Sequence, residues 1–349
     1  MPKCIALAGT AGPTVVEYVA PTIEHPSEAI VVCECAIFGV ALHRKIENLH
    51  HIKQIDGVLG TLLCGRIVAK GSDIELNIGE RVIFDPRGRC GTCESCANLH
   101  LKGRCKNPVR CNPGAMAEFV KIPAVLSGGI ISVPDEMMSE VAAYTEIVAC
   151  VLAAIEINAT DRSSTVLVTG AGPVGIIFCR LLKKLGFDRI QVVTRSASKI
   201  QLIQESGAQP VLTNMESIPI FGDALRQHLS GVDLVFETTG RADLLSELTK
   251  LVSEGARLAL FAGFPTDTVH GVDMNVVHYR RLTLCGVYQY SSDEFMRAFE
   301  LLRMRDISID DLFSHRLTFD DVPRISDIFK SSDRMIVTVA PTNSTGSCE

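Results

Sequence analysis

The chain has 349 residues, enough for two domains of ordinary size, and 47% of them are hydrophobic while 21% are charged. This balance is typical of a globular protein and excludes a disordered one. A net charge of −6, with no Lys/Arg-rich run, gives no reason to expect a nucleic-acid partner.

The sequence contains no run of about 18 apolar residues, so we expect no membrane-spanning helix. Its thirteen cysteines are an odd number, and most of them are scattered along the chain. A secreted disulfide scaffold would be shorter and would pair its cysteines, so we expect a reducing compartment, the cytoplasm.

The first 148 residues are rich in short β-like runs separated by Gly and Pro. Examples are residues 29–35, 65–69 and 79–84, the last of which is entered from a turn. This pattern predicts an irregular, barrel-like β domain over residues 1–148.

A cysteine cluster interrupts this region in a lobe at about residues 88–112. Three thiolates at CxxCxxC spacing with a fourth nearby are typical of a closed, structural zinc site. We predict one structural Zn2+, and the predicted ligands are Cys90, Cys93, Cys96 and Cys105. Cys111 or His100 could replace the fourth ligand, and a group of free thiols is the alternative to a metal site.

From about residue 150 the sequence alternates between strand-like and helix-like segments. The predicted strands cover residues 164–169, 189–194, 232–237, 256–261 and 282–286. Helix-like segments follow at 175–182 and 244–252. Such alternation predicts a doubly wound parallel sheet, which we place at residues 149–287. Residues 288–349 are predicted to return to the first domain and to end in a polar tail.

A glycine-rich turn, GxGxxG, joins the first of these strands to the first helix. Gly170 permits a tight turn, Gly172 lets the backbone approach a pyrophosphate, and Gly175 lets helix and sheet pack closely. The helix N-terminus adds N–H donors and a positive dipole. A purely structural turn is the alternative, but the strand-turn-helix context favours a dinucleotide site. The predicted cofactor-binding residues are Gly170, Gly172, Pro173, Val174 and Gly175.

The end of the next strand predicts which nicotinamide cofactor binds. Residues 194–199 contain no carboxylate, the group that bonds the ribose hydroxyls in NAD sites. Arg195 and Lys199 are cations suited to a 2′-phosphate, and Thr194 and Ser196 offer hydroxyl groups. We therefore predict NADP(H). The alternative is that Arg195 is a solvated loop residue or stacks on adenine.

Together these features resemble the medium-chain dehydrogenase/reductase family, in its zinc alcohol, polyol and threonine dehydrogenase branch. Residues 79–82 resemble the GDRV turn of that family, residues 114–119 its GGFAEY segment and residues 146–151 its EPLACV segment. The resemblance implies a GroES-like catalytic domain around a Rossmann domain, with the active site in the cleft. It also implies a homodimer, paired through the Rossmann sheet edges, or a homotetramer.

The catalytic zinc ligands of that family are largely replaced in this chain. The segment of the first ligand, a Cys, begins with Phe38 here, and the segment of the second reads Gly60-Thr61-Leu62. Only Glu146 keeps a ligating side chain. Zinc needs about three protein ligands plus water, so we expect no catalytic zinc. The alternative is a site rebuilt from Cys33, Cys35 or Cys64.

Without a catalytic metal, other groups must move the proton and stabilise a developing oxyanion. The candidates are His43, the relay-type His of the family, Glu146 and Thr61. The alternatives are a polar His near the cofactor ribose, an ion-paired carboxylate, and a threonine that packs beside Leu62 and Leu63.

The predicted function is NADP(H)-dependent hydride transfer to or from a small carbonyl or alcohol substrate. Reduction of a polarised C=C or C=N bond is one alternative. A zinc-dependent alcohol dehydrogenase with a rebuilt site and a non-catalytic NADP(H)-binding protein are the others. The fold alone does not choose among these functions. NADPH oxidation with a panel of carbonyl and enone substrates separates the reductases from a non-catalytic binding protein.

Overall fold

The computed structural model describes residues 1–7, 12–39, 57–87, 93–97, 105, 114–159, 161–213, 231–264, 271–331 and 333–342. Contacts divide the chain into two compact units. The first comprises Met1–Glu146 and Ser291–Glu349, and the second comprises Ile147–Tyr290.

The described strands and helices are numbered here in chain order. The strands are β1 (Lys3–Leu7), β2 (Pro13–Glu17), β3 (Ala29–Ile37), β4 (Gly57–Val58), β5 (Leu63–Lys70), β6 (Arg81–Phe84), β7 (Phe119–Ile122), β8 (Ile130–Ser132), β9 (Val166–Thr169), β10 (Ile190–Thr194), β11 (Gln209–Leu212), β12 (Leu234–Glu237), β13 (Arg257–Leu260), β14 (Thr283–Gly286), β15 (Phe313–Thr318) and β16 (Ile336–Ala340). The helices are α1 (Glu94–Ala97), α2 (Ser139–Ala143), α3 (Thr145–Asn158), α4 (Pro173–Lys184), α5 (Ile200–Glu205), α6 (Ala242–Leu251), α7 (Met274–Tyr279), α8 (Ser292–Arg303) and α9 (Ile325–Lys330). None of these described helices has both the length and the apolar character to cross a bilayer.

The first unit is built mainly from antiparallel strands. Its larger sheet has the order β15-β16-β3-β5-β6-β8, with β7 also paired to β3, and a smaller sheet has the order β2-β1-β4. Both contribute to one apolar core. The β-rich domain expected from the sequence is therefore confirmed.

The strand predicted at 79–84 begins two residues later than expected. Gly79 has a φ of 87°, in the left-handed region that favours glycine. The backbone N–H of Glu80 closes a turn by donating to the carbonyl of Asn77 at 3.2 Å. Both residues therefore belong to the turn, and ladder pairing starts at Arg81.

The second unit is the predicted doubly wound sheet. Its described strands have the order β11-β10-β9-β12-β13-β14, and every adjacent pair is parallel. All four residues of β9 are buried, as expected of a central strand covered on both faces. The chain leaves β9 toward β10 on one side and later returns beside it as β12. The carboxyl ends of β9 and β12 therefore form the topological switch point, where such sheets bind ligands.

Glu28 fastens the chain where it enters β3, and it is only 8% exposed. Its Oε2 accepts the backbone N–H groups of Glu24 and His25 at 2.8 and 3.1 Å. The hydrogen bond from Glu24 is the largest influence, and the Lys121 ammonium adds to it. Together they outweigh the desolvation caused by burial, so the pKa of the Glu28 carboxyl lies below its ordinary value.

We expect Glu28→Gln to lower the free energy of unfolding by about 1 kcal/mol near neutral pH, because charge-assisted hydrogen bonds become neutral ones. A lowered folded-state pKa means that the carboxylate stabilises the fold above the ordinary carboxyl pKa. That contribution is lost as the pH falls through the folded-state pKa. Thermal unfolding across this acidic range measures the effect. The difference in unfolding free energy between Glu28→Gln and the parent should narrow as the pH falls. A difference that stays constant would contradict the stabilising role of the Glu28 carboxylate.

Candidate functional site

The glycine-rich turn lies between β9 and α4, at the carboxyl end of the sheet. Gly170 has a φ of 91°, which favours glycine at the tight turn. A Cβ on Gly175 would lie 2.0 Å from the carbonyl oxygen of Gly170, so only glycine fits there. A Cβ on Gly172 would meet nothing within 4 Å. The turn is thus tightly packed at Gly175 and open at Gly172.

Helix α4 begins with groups that are available to an anion. Gly172 is its N-cap residue and provides no side-chain acceptor, and Pro173 occupies the first turn. The first N–H groups of a helix have no partner within the helix, and the helix dipole makes this end positive. Val174 and Gly175 lie in this first turn. The geometry therefore suits a phosphate.

A second turn, Thr238–Gly240, lies beside the glycine-rich turn. The backbone N–H of Thr238 donates to Thr169 Oγ1 at 3.0 Å, and Thr238 Oγ1 donates to the carbonyl of Thr169. The Cγ2 atom of Thr239 lies 3.0 Å from the position that a Cβ on Gly170 would occupy. This turn was not predicted from the sequence. A signal was present, since Glu237 ends a buried strand and is followed by Thr-Thr-Gly.

The segment after β10 brings the predicted 2′-phosphate residues into one turn. Thr194 is 5% exposed, and its Oγ1 accepts the backbone N–H of Ser196 at 3.1 Å. The backbone N–H of Lys199 donates to the carbonyl of Ser196 at 3.2 Å. Arg195 is exposed, and Ser196 and Lys199 are half-buried. Thr194 therefore stabilises the turn from its buried side. Arg195, Ser196 and Lys199 are accessible to a ligand.

Three of the four predicted zinc ligands lie together in the first unit. Cys93 Sγ is 3.4 Å from Cys96 Sγ and 4.0 Å from Cys105 Sγ, and all three thiols lie within 4.8 Å of one another. Ligands of a tetrahedral zinc with Zn–S bonds of about 2.3 Å are separated by about 3.8 Å. The three thiols therefore fit zinc. Cys90 and the alternatives Cys111 and His100 lie outside the described residues.

Phe38 is part of the hydrophobic core rather than a pocket wall. It is 2% exposed, and its ring centroid lies 5.0 Å from that of Phe329. Its backbone N–H donates to the carbonyl of Val337 at 3.0 Å, which fixes it beside β16. An apolar ring packed in this way offers no ligand to a metal.

The other two positions of the expected zinc site differ in exposure. Thr61 is exposed and Leu62 is half-buried. Glu146 is half-buried in the first turn of α3. Burial of Tyr144 and, secondarily, the negative charge of Glu146 raise the pKa of the Tyr144 hydroxyl above its ordinary value. His43 lies outside the described residues.

The cysteines considered for a rebuilt zinc site are buried. Burial raises the pKa of Cys64 to about 12 and places the pKa values of Cys33 and Cys35 well above the ordinary range. Within the described ranges, the group of Cys, His or carboxylate side chains that can share an ion is Cys93, Cys96 and Cys105. The described residues of the expected catalytic zinc position do not fit that metal.

Four known proteins that are similar to this chain are all described as dehydrogenases. L-threonine 3-dehydrogenases from Stenotrophomonas maltophilia (strain K279a) and Yersinia enterocolitica are each 26% identical to this chain. They cover 87% and 89% of it and 89% and 91% of their own lengths. A protein described as a zinc-binding dehydrogenase from Sinorhizobium meliloti 1021, solved bound to NADP, has a TM-score of 0.85 at 24% identity, covering 98% of this chain and 99% of its own. Galactitol-1-phosphate dehydrogenase from Escherichia coli has a TM-score of 0.82 at 24% identity, covering 97% and 100%. These two structures are similar to the chain in fold.

Two family models match segments of the chain. The alcohol dehydrogenase GroES-like domain matches residues 28–135, and the zinc-binding dehydrogenase model matches residues 173–303. They confirm the GroES-like fold expected from the sequence, and the parallel sheet of the second unit agrees with the Rossmann half. The chain therefore belongs to the zinc-type medium-chain dehydrogenase/reductase family and is an oxidoreductase.

Proposed function

We propose that this protein is an NADP(H)-dependent oxidoreductase that transfers hydride to or from a small carbonyl or alcohol substrate without a catalytic zinc. The observation that carries the proposal is the core position of Phe38, in contact with Phe329, where the family pattern has a zinc-ligating Cys. The glycine-rich turn has the geometry for a dinucleotide. The replacement of Cys by Phe38 therefore affects the catalytic metal site and not the cofactor site.

The choice of NADP(H) is supported by the turn after β10. Arg195, Ser196 and Lys199 are accessible there, and residues 194–199 include no carboxylate to repel a 2′-phosphate. The Sinorhizobium protein of the same fold was solved bound to NADP. A guanidinium and an ammonium together suit a dianionic phosphate.

The nicotinamide cofactor supplies the hydride chemistry when it is bound. The N-terminus of α4 binds the pyrophosphate, and the open side of Gly172 lets it approach. Glu146 and His43 are proposed to move the proton that accompanies the hydride, and Thr61, which is exposed, to donate a hydrogen bond to the substrate.

Reduction of a polarised C=C or C=N bond is the second candidate function. The same replacement of the zinc ligand favours it, because less negative charge develops on a single oxygen in that reaction. A Lewis acid is then less necessary.

We further propose one structural zinc at the cysteine cluster, cytoplasmic localisation and a homodimer or homotetramer. The dimer is proposed to form through β14, which is the last described strand of its sheet. Tyr279 and Tyr288, before and after this strand, are 76% and 69% exposed. Exposed aromatic residues beside an edge strand are typical of an interface.

The test of the proposed function is NADPH oxidation, by protein purified without added metal and carrying one zinc per chain, with a panel of small aldehydes, ketones, enones and imines. Turnover with aldehydes or ketones, with alcohol as the product, supports the first candidate. A saturated ketone or an amine as the product supports the second. Glu146→Gln should lower kcat in the productive reaction, and absence of turnover on the whole panel would contradict catalysis.

We expect the double substitution Arg195→Ala/Lys199→Ala to weaken NADPH binding about tenfold or more, since each charge-assisted hydrogen bond to a phosphate contributes about 1.5 kcal/mol or more. The affinity for NADH, which has no 2′-phosphate, should change little. Fluorescence titration of both cofactors measures this, with Lys250→Ala on α6 as a control for loss of a surface cation. Equal losses for both cofactors would indicate adenine stacking, and no loss would indicate a solvated loop.

A further inference from the structure

A buried carboxylate lies at the switch point of the sheet. Glu237 ends β12, is 0% exposed and is in register with Thr169 of β9. Its Oε1 accepts hydrogen bonds from Thr169 Oγ1 at 3.3 Å, from the backbone N–H of Thr239 at 2.8 Å and from that of Gly240 at 3.0 Å. Its Oε2 also receives the Gly240 N–H at 3.1 Å, and Thr239 Oγ1 is a further donor.

These donors form a small anion-binding nest. Gly240 has a φ of 68°, the left-handed conformation that turns consecutive N–H groups toward one point. Burying a carboxylate is costly unless hydrogen bonds replace its water, and here backbone and hydroxyl donors do so. Glu237 therefore acts as an internal anion within its own strand-end turn.

The nest is connected to the glycine-rich turn through Thr169. This residue is 0% exposed, and its hydroxyl oxygen accepts the Thr238 N–H while its hydroxyl proton goes to Glu237. The Cγ2 atom of the neighbouring Thr239 lies 3.0 Å from the position that a Cβ on Gly170 would occupy. The Glu237 carboxylate thereby holds the Thr238–Gly240 turn against the first glycine of the nucleotide site.

We propose that Glu237 is a positioning residue for the dinucleotide. It fixes the Thr238–Gly240 turn beside Gly170, and it fills the backbone nest there. The N-terminus of α4 then offers its N–H donors to the pyrophosphate at the switch point, while the donors of the Thr238–Gly240 turn are occupied by Glu237. This inference rests on the proposed NADP(H) function and adds a residue to that site.

The test is the Kd of NADPH for Glu237→Ala and Glu237→Gln, with Thr249→Val as the matched control. Thr249 is also buried in the second unit, and its hydroxyl donates to Ser246 within α6, away from the turn. We expect Glu237→Ala to raise the Kd about tenfold, because the N–H groups of Thr239 and Gly240 lose their acceptor. Glu237→Gln keeps one oxygen acceptor and should stay within about threefold of the parent.

Two readouts separate positioning from a merely structural role. At saturating NADPH, the kcat of Glu237→Ala should stay within about twofold of the parent, so the loss is confined to cofactor affinity. Thr249→Val should leave the Kd unchanged whatever its unfolding temperature. Unchanged affinity in Glu237→Ala, or equal losses in Glu237→Ala and Thr249→Val, would overturn the inference.

If Glu237→Ala does not fold, Thr169→Val decides. This substitution keeps the volume and removes the hydroxyl that links Glu237 to Thr238, and we expect an approximately threefold higher Kd, about 0.6 kcal/mol. An unchanged Kd would overturn the inference while the proposed function stands. A parent protein that binds neither NADPH nor NADH would overturn both.

Discussion

Gly175→Ala should destabilise the second unit by about 3 kcal/mol and abolish NADPH binding, because overpacking at a rigid contact is not relieved by rotation of a side chain. The added Cβ would lie 2.0 Å from the backbone oxygen of Gly170, so helix α4 or the turn must move. Either shift displaces the N–H groups that face the pyrophosphate. Thermal unfolding and NADPH titration of the same preparation measure both effects.

Gly172→Ala is the matched control, three positions before Gly175. Its φ of −75° is ordinary for any residue, and its Cβ would meet nothing within 4 Å. Stability should therefore stay within about 0.5 kcal/mol of the parent. NADPH affinity should nevertheless fall about tenfold, because the methyl group occupies the side from which the pyrophosphate approaches. Destabilisation by Gly172→Ala, or full NADPH affinity in both variants, would contradict the assigned roles of the two glycines.

Protein purified without added metal should contain one zinc per chain, and Cys93→Ser should contain almost none. Cys93 Sγ lies within 4.0 Å of both Cys96 Sγ and Cys105 Sγ. Its substitution therefore removes one of the ligands that are proposed to bind the zinc together. A structural zinc contributes on the order of 10 kcal/mol to the state that binds it, so the lobe should unfold locally. Elemental analysis and limited proteolysis of the lobe measure these two outcomes.

Cys285→Ser is the control for this experiment, since Cys285 is half-exposed and lies in the second unit on β14. It should retain one zinc per chain. Two zincs per chain in the parent would show that a catalytic site has been rebuilt, and the zinc-dependent mechanism would replace the one proposed here. No zinc in the parent would indicate a group of free thiols.

Much of the nucleotide site was predictable because its determinants are local. The spacing of Gly170, Gly172 and Gly175 fixes a turn between adjacent elements, and the positive φ of Gly170 and the packing of Gly175 agree with the roles expected of them. The three clustered thiols likewise derive from a short spacing, since α1 holds Cys96 one turn from Cys93.

Other features depended on residues that are distant in the sequence. The exposure of Thr61 depends on how the chain leaves β4 and enters β5, which its apolar neighbours in the sequence do not specify. The nest around Glu237 requires Thr169, 68 positions earlier, to be its partner in register. The apolar run that ends at Glu237 does not by itself predict which residue will be its partner.

The sequence by itself determined the alternation of strands and helices, the glycine-rich turn and the CxxCxxC cluster, because each follows from residues within one or two turns of chain. It also showed that Phe38 cannot ligate a metal, which is a matter of side-chain chemistry alone. Only the tertiary structure decided that Phe38 packs on Phe329 in the core and that Glu237 is satisfied by a neighbouring turn. Burial and strand register arise from contacts between distant segments, and local sequence does not specify them.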